Sequence, residues 1–94
     1  MTIKGSIWFD DIIEKLLRKH NVTQNEVREV LVNNPHFRFV EKGDRSGENV
    51  YAAIGQTDSG RYLIVFFVHK TTQHILILSA RDMTRAERRL YEKT

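Results

Sequence analysis

Arginine, lysine, histidine and tyrosine are the residues of this chain whose side chains could do chemistry. The sequence has no cysteine, which excludes disulfides and thiolate chemistry and argues against a structural zinc site. It has no Gly-rich phosphate loop, no nucleophile elbow and no HExxH pair. His20, His36, His69 and His74 are not spaced as metal ligands. Arg81, Arg85, Arg88, Arg89 and Lys93 crowd the last stretch of chain, against Asp82, Glu87 and Glu92. A set of this kind suits cleavage of RNA, where the ribose 2′-hydroxyl is itself the nucleophile. The protein need only position the phosphate, take up one proton, give another, and stabilise the added negative charge. Guanidinium groups do the last task best, because their fork matches phosphate oxygens.

Arg81 is the sharpest candidate, because it joins an apolar strand to the start of a helix, where backbone on both sides would hold it. The helix N-terminus would add positive potential. The bland alternative is a structural ion pair with Asp10, Asp11 or Asp82. Arg85, Arg88 and Arg89 could line a phosphate track, or simply form a solvated face supported by pairs such as Arg88–Glu92. Tyr91 could cap the core with its ring and expose its hydroxyl. His20 is the proton-transfer candidate, since imidazole titrates near neutrality; it also suits the cationic end of a helix. Arg61 opens a central strand and could reach the surface of Arg81, or snorkel from a strand end.

The elements that must position these residues follow from periodicity and punctuation. Ile3–Phe9 reads as a short first strand, with Trp8 as a core anchor. A helix is expected from about Asp11 to His20, with Asp11 and Glu14 at capping-box spacing. Ile12, Ile13, Leu16 and Leu17 make its apolar stripe, and Asn21 suits the left-handed residue that ends it. Thr23-Gln24-Asn25-Glu26 is a second capping box, with Val22 and Val27 as a hydrophobic staple. That helix should run to about Val32, with Val27, Val30 and Leu31 inward. Pro35 stops it and biases Asn34 towards an extended conformation.

From His36 the period becomes two. Phe37 and Phe39 alternate with His36, Arg38 and Val40 as a half-buried strand. After a polar loop at Lys42–Gly47, Glu48–Ile54 is the next strand. Gly55–Gly60 turns the chain. Arg61–His69 is nearly all apolar in its middle, as a central strand covered on both faces would be. Lys70–Gln73 turns the chain again, and His74–Ala80 is the last strand. Short turns predict antiparallel pairing among these four strands. Thr84-x-x-Glu87 opens a terminal helix, with Ala86 and Leu90 expected to face the core. The expected order is βααββββα, an α+β fold with helices on a mainly antiparallel sheet.

The 94 residues are expected to form one domain, 1–94. Hydrophobic residues make up 40% and charged residues 29%, as in ordinary globular chains. The longest apolar run, Leu63–Val68, falls far short of the roughly 18 residues of a membrane span. The N-terminus lacks a signal-peptide pattern, so the expected location is the cytoplasm. The net charge of +3 and pI near 9.5 are compatible with an anionic partner without proving one.

Trp8 with Asp10, Arg18-Lys19-His20-Asn21-Val22-Thr23, Glu26, Gly55, Gly60-Arg61-Tyr62-Leu63-Ile64-Val65 and the block Ser79-Ala80-Arg81-Asp82-Met83-Thr84-Arg85-x-Glu87-Arg88-Arg89-x-Tyr91 together resemble the BrnT family of type II toxins. The likeness spans nearly the whole chain in order, and the last block is its most specific part. The residue set itself points to cleavage without metal or cofactor, and the resemblance implies a RelE-like fold and a ribonuclease that arrests translation. It also implies a small antitoxin partner of the BrnA type, which binds DNA, and an RNA substrate, free or on the ribosome. By match it implies functional positions at His20, Arg61, Arg81, Arg85, Arg88 and Tyr91; Arg81, His20 and Tyr91 are expected to be catalytic, and Arg61, Arg85 and Arg88, with Lys19, to bind substrate. Asn21 stands where the family usually has Gly, and Phe9 separates Trp8 from Asp10 in place of a plain Trp-Asp pair. The alternative class is a non-enzymatic module that binds a partner or nucleic acid through its basic C-terminal helix.

Overall fold

Short connections and period-two apolar patterning turn the second half of the chain into an antiparallel meander, and the helices cover its faces. In the computed structural model, which describes residues 1–93, the order is β1 (Gly5–Ile7), α1 (Asp10–His20), α2 (Gln24–Val32), β2 (His36–Glu41), β3 (Val50–Gln56), β4 (Tyr62–His69), β5 (His74–Asp82) and α3 (Arg85–Glu92). The strands form one sheet in the order β1-β5-β4-β3-β2. β2 to β5 pair antiparallel, as their short turns require. β1 pairs parallel with β5, through Gly5–His74, Ser6–Ile75 and Ile7–Leu76. The expected α+β class and the βααββββα order therefore hold.

Alternate residues of β4 divide the core in two. Leu63, Val65 and Phe67 face α1 and α2, joining Leu16, Val22, Val27, Val30, Ala53, Ile75, Ile77 and Ala80. Ile64 and the half-buried Phe66 face the other way, with Ala52, Ile54, Met83 and Tyr91. The first layer is fully closed, with Phe67 at 0% exposure; burying a phenylalanine there is worth about 2–3 kcal/mol. Small residues let the helices approach. A Cβ on Gly55 would stand 3.3 Å from Val30 Cγ1, so that glycine sets the fit of α2 on β3.

One irregularity in β5 decides what faces which layer. Phe67 pairs with Ile77 but Phe66 pairs with Ser79, so Leu78 is the extra residue of a bulge. Before it, Ile75 and Ile77 face α1; after it, Ala80 does. The one-residue slip exchanges the faces of everything beyond. Arg81, opposite Ile64, is thereby turned to the α3 side, and Asp82, opposite Leu63, to the side of α1 and α2.

Both threonine capping boxes form as expected: Thr23 accepts from the Glu26 N–H and Thr84 from the Glu87 N–H, with each glutamate bonding back. Asn21 takes the left-handed conformation at φ 51° and ends α1. Other expectations are corrected. α1 begins at Asp10, and its N-cap is Phe9 without a side-chain cap. The Phe9 carbonyl takes the N–H groups of Ile12 and Ile13, so Asp10 and Asp11 lie in the first turn, where the helix dipole favours them. Leu17 is exposed, because the core reaches only Ile12 and Leu16 of its stripe. Asn34 has φ 51°, a left-handed step and not the extended one Pro35 favours. Ala86 and Leu90 are exposed as well; Glu87 and Tyr91 are the half-buried residues of α3. The first strand is shorter than expected, and β5 runs on through Arg81 to Asp82.

Candidate functional site

Arg81 leaves the sheet on the α3 side, its guanidinium carbon 5.5 Å from the centre of the Phe66 ring. Nη1 and Nη2 donate to the two oxygens of Glu87 at 2.7 and 2.9 Å. Nη1 also donates to the Asp82 carbonyl at 3.2 Å. Glu87 Oε1 in turn accepts from the Thr84 N–H at 2.8 Å. The partner of Arg81 is thus the capping glutamate of α3, and not the side chain of Asp10, Asp11 or Asp82. The Arg81 hydrogen bonds hold the Glu87 carboxyl well below its usual range, at about 2, against a smaller upward push from burial. Glu87 likewise raises Arg81. A third of the Arg81 side chain, 34%, stays open to solvent.

Arg61 sits at the opposite layer as a clamp. Nε and Nη2 donate to Asp82 Oδ1 and Oδ2 at 2.8 and 3.1 Å. Nη2 also donates to the His20 carbonyl at 3.0 Å, and Nη1 to the Asn21 carbonyl at 2.7 Å. Nη1 reaches both Glu26 oxygens at 3.2 Å. A guanidinium has five N–H donors, and these contacts engage every one. The C-terminus of α1, the N-terminus of α2 and the end of β5 are thereby tied to one side chain. Arg61 lowers Asp82 through hydrogen bonding that outweighs burial, with a lesser electrostatic contribution from His20. Burial raises Glu26, but bonds from the Thr23 N–H and Arg61 prevail and leave it lowered. His20 is half-buried at the end of α1, and Lys19 beside it is exposed.

The α3 side gathers the remaining candidates. Arg85, Arg88, Arg89, Glu92 and Lys93 line a shallow hollow open to solvent. Arg88 pairs with Glu92 at 3.2 Å, and its guanidinium carbon lies 4.0 Å over the Tyr62 ring. The Tyr62 ring is 6.0 Å from that of Tyr91, edge to face. The Tyr91 ring is 5.0 Å from that of His36. A second hollow touches Tyr91 and is lined by Asn33, Gln56, Thr57, Asp58 and Gly60.

The fold thus brings Arg85, Arg88 and Tyr91 together, with Arg81 on the same side of the sheet. His20, Lys19 and Arg61 lie on the side of α1 and α2. His36 and Tyr62 were not among the residues singled out from the sequence. Period-two alternation carried the signal: Tyr62 stands two residues before Ile64, and His36 pairs with Ile54, whose face is the α3 side. Cations, phenol hydroxyls and an imidazole can bind phosphates, stack bases and move protons. Among the described residues no group of three or more His, Asp or Glu stands close enough together to hold a metal ion. Among them, too, no helix is long and apolar enough to cross a membrane.

No curated protein matches this chain. A crystal structure of the Brucella abortus ribonuclease toxin BrnT is similar in fold, with a TM-score of 0.59 over 86% of this chain and 97% of that one. Identity between the two is 14%, so that likeness speaks for the fold alone. Residues 8–87 match the family model for the ribonuclease toxin BrnT of type II toxin–antitoxin systems. With most of the chain inside that match and the same fold around it, this protein belongs to the BrnT family of ribonuclease toxins.

Proposed function

We propose that this BrnT-family protein cuts RNA without a metal ion and so inhibits translation and growth. The observation that carries the reading is the α3 side of the sheet, where four exposed cations border one hollow and Arg88 leads directly onto Tyr62 and Tyr91. Arg85 and Arg88 hold backbone phosphates, and the aromatic rings give bases a surface to stack on. Tyr91 donates a proton to the leaving oxygen. Arg81 borders this side and keeps an open edge that can stabilise charge on the phosphate. Through Glu87 it also fixes where α3 begins. Arg61 is assigned to positioning, because its donors are engaged. His20 and Lys19 add positive charge at the far end of α1, and His20 is held for proton transfer only if RNA reaches that side.

The whole chain acts as one cytoplasmic domain. Its partner is a small DNA-binding antitoxin of the BrnA type, and its substrate is RNA, free or on the ribosome. The decisive assay incubates purified protein with RNA in excess chelator. Cleavage that persists there, together with arrest of protein synthesis on expression, is the expected result. Intact RNA that is nevertheless bound, with affinity falling steeply as salt rises, would show a docking module and remove the enzymatic reading. Arg81→Ala should abolish cleavage and growth arrest in a folded protein; undiminished cleavage would remove Arg81 from the mechanism.

A further inference from the structure

Among the described residues, His36 is the histidine whose ring meets the α3 helix, at Tyr91. His69 bonds the Thr2 carbonyl at 2.9 Å, His74 bonds Thr72 at 3.2 Å, and His20 closes α1 on the far layer. His36 opens β2, and its pairing with Ile54 turns it to the face that carries Ile64, Phe66 and Tyr91. Tyr62 enters the same face from β4, opposite Gln56, two residues along β3 from Ile54. Two strands and a helix therefore deliver His36, Tyr62, Tyr91 and Arg88 to one end of the sheet. Ring contacts link them in the order His36, Tyr91, Tyr62, Arg88, at 5.0, 6.0 and 4.0 Å. An arginine-lined hollow lies at the Arg88 end, and a second hollow, lined by amide, hydroxyl and carboxylate groups, touches Tyr91.

Histidine is the residue type that exchanges protons near neutral pH, and tyrosine offers a hydroxyl that can donate one. An RNA phosphodiester held by Arg88 would lie along a line with a base at one end and an acid beside it. We infer that His36 is the general base of the RNA-cleaving site and works as a pair with the Tyr91 hydroxyl. This rests on the ribonuclease reading above and adds a residue to it. His36 removes the proton of the 2′-hydroxyl as its oxygen bonds to phosphorus. The bond from phosphorus to the 5′-oxygen breaks, and Tyr91 gives that oxygen its proton. The products are a 2′,3′-cyclic phosphate and a 5′-hydroxyl; His36 then releases its proton and Tyr91 regains one from solvent. No oxidant, metal or covalent intermediate enters the balance.

The test uses the full chain on a labelled RNA oligonucleotide in chelator, across a range of pH. His36→Gln keeps a polar side chain of similar reach but cannot serve as a base. It should lower the cleavage rate about 10²–10⁴-fold with little change in RNA affinity, and remove the limb of the pH profile on which the rate rises with pH. Tyr91→Phe should remove the opposite limb. His69→Gln, outside the line, is the reference for an unaltered rate. Circular dichroism and a thermal melt confirm folding, and His36→Asn gives a second variant if the first is unstable. Wild-type rate and profile in folded His36→Gln would overturn the assignment while leaving the ribonuclease reading intact. Loss of activity in His20→Gln instead would move the base to the end of α1. A wild-type protein that cleaves no RNA would overturn both together.

Discussion

Arg81 and Glu87 form a two-point ion pair, at 2.7 and 2.9 Å, across the seam between β5 and α3. The same carboxylate caps the helix by accepting from the Thr84 N–H, so the pair joins the sheet to the helix that bears the cations. No residue of α3 is fully buried, which makes this link a main part of its anchorage beside Met83 and Tyr91. Breaking one partner leaves the other charged and half-covered. Arg81→Ala and Glu87→Gln should each cost about 1–3 kcal/mol in urea unfolding, and their double-mutant cycle should show coupling of about 1 kcal/mol or more. Purely additive effects would show that α3 is held by other contacts. Hydrogen exchange should quicken first in 85–92 in either variant.

The same pair makes stability depend on acid. Glu87 is lowered from about 4.5 to about 2 by the Arg81 hydrogen bonds. A carboxyl depressed in the folded state binds protons more readily when unfolded, so its contribution is complete above the unfolded value and fades as pH falls towards the folded one. Its share of the stability should be whole above about pH 5 and lost between about pH 4.5 and 2. After allowance for solvent screening it amounts to about 1–2 kcal/mol. Asp82 and Glu26, both lowered, act in the same direction. Unfolding curves between pH 2 and 6 should therefore flatten in Glu87→Gln; an unchanged slope would assign the acid sensitivity elsewhere.

Local chemistry explains what the sequence revealed of this architecture. Thr23 with Glu26, Thr84 with Glu87, and Asn21 announce helix ends because each acts within a few residues of itself. The LIVFFV run announces β4 because both its faces are covered. What escaped depends on distant partners. Nothing near Ile7 tells that β1 will lie parallel to β5, and nothing in the run from His74 tells that Leu78 will bulge. Yet that bulge decides that Arg81 meets Glu87 while Asp82 meets Arg61. His36 stayed unremarked for the same reason, since its neighbour Tyr91 lies at the other end of the chain. Leu90 was expected inside, but it borders an open hollow with Val40, Ala52 and Phe66, so it stays exposed beside sheet that α3 does not fully cover.

Arg85, Arg88 and Arg89 present charge with little structural duty. Arg88 is bonded only to its exposed helical neighbour Glu92 among the described ion pairs, and both side chains are about half exposed or more. Surface pairs of this type add less than about 1 kcal/mol. Single alanine substitutions should therefore leave the unfolding midpoint nearly unchanged. If each arginine meets one phosphate, the slope of log affinity for single-stranded RNA against log salt should fall by about 0.7 per substitution. Arg88→Ala should also weaken stacking, because its cation lies on the Tyr62 ring. Unchanged salt slopes in all three variants would place RNA away from α3.

Arg61 offers the opposite case, a charged side chain whose loss should act on the fold before it acts on RNA. Its guanidinium serves Asp82, Glu26 and the carbonyls of His20 and Asn21 at once. Those carbonyls belong to the end of α1, where orphan acceptors need donors. Lysine keeps the charge but has three donors on one nitrogen and cannot span the four groups. Arg61→Lys should therefore cost about 2–4 kcal/mol, read as a lower urea midpoint at unchanged slope. Amide exchange should rise where α1 meets α2. At temperatures where the variant stays folded, RNA affinity should change little, because the donors are turned inward to the clamp. A variant as stable as the parent but deficient in RNA binding would return Arg61 to the substrate surface.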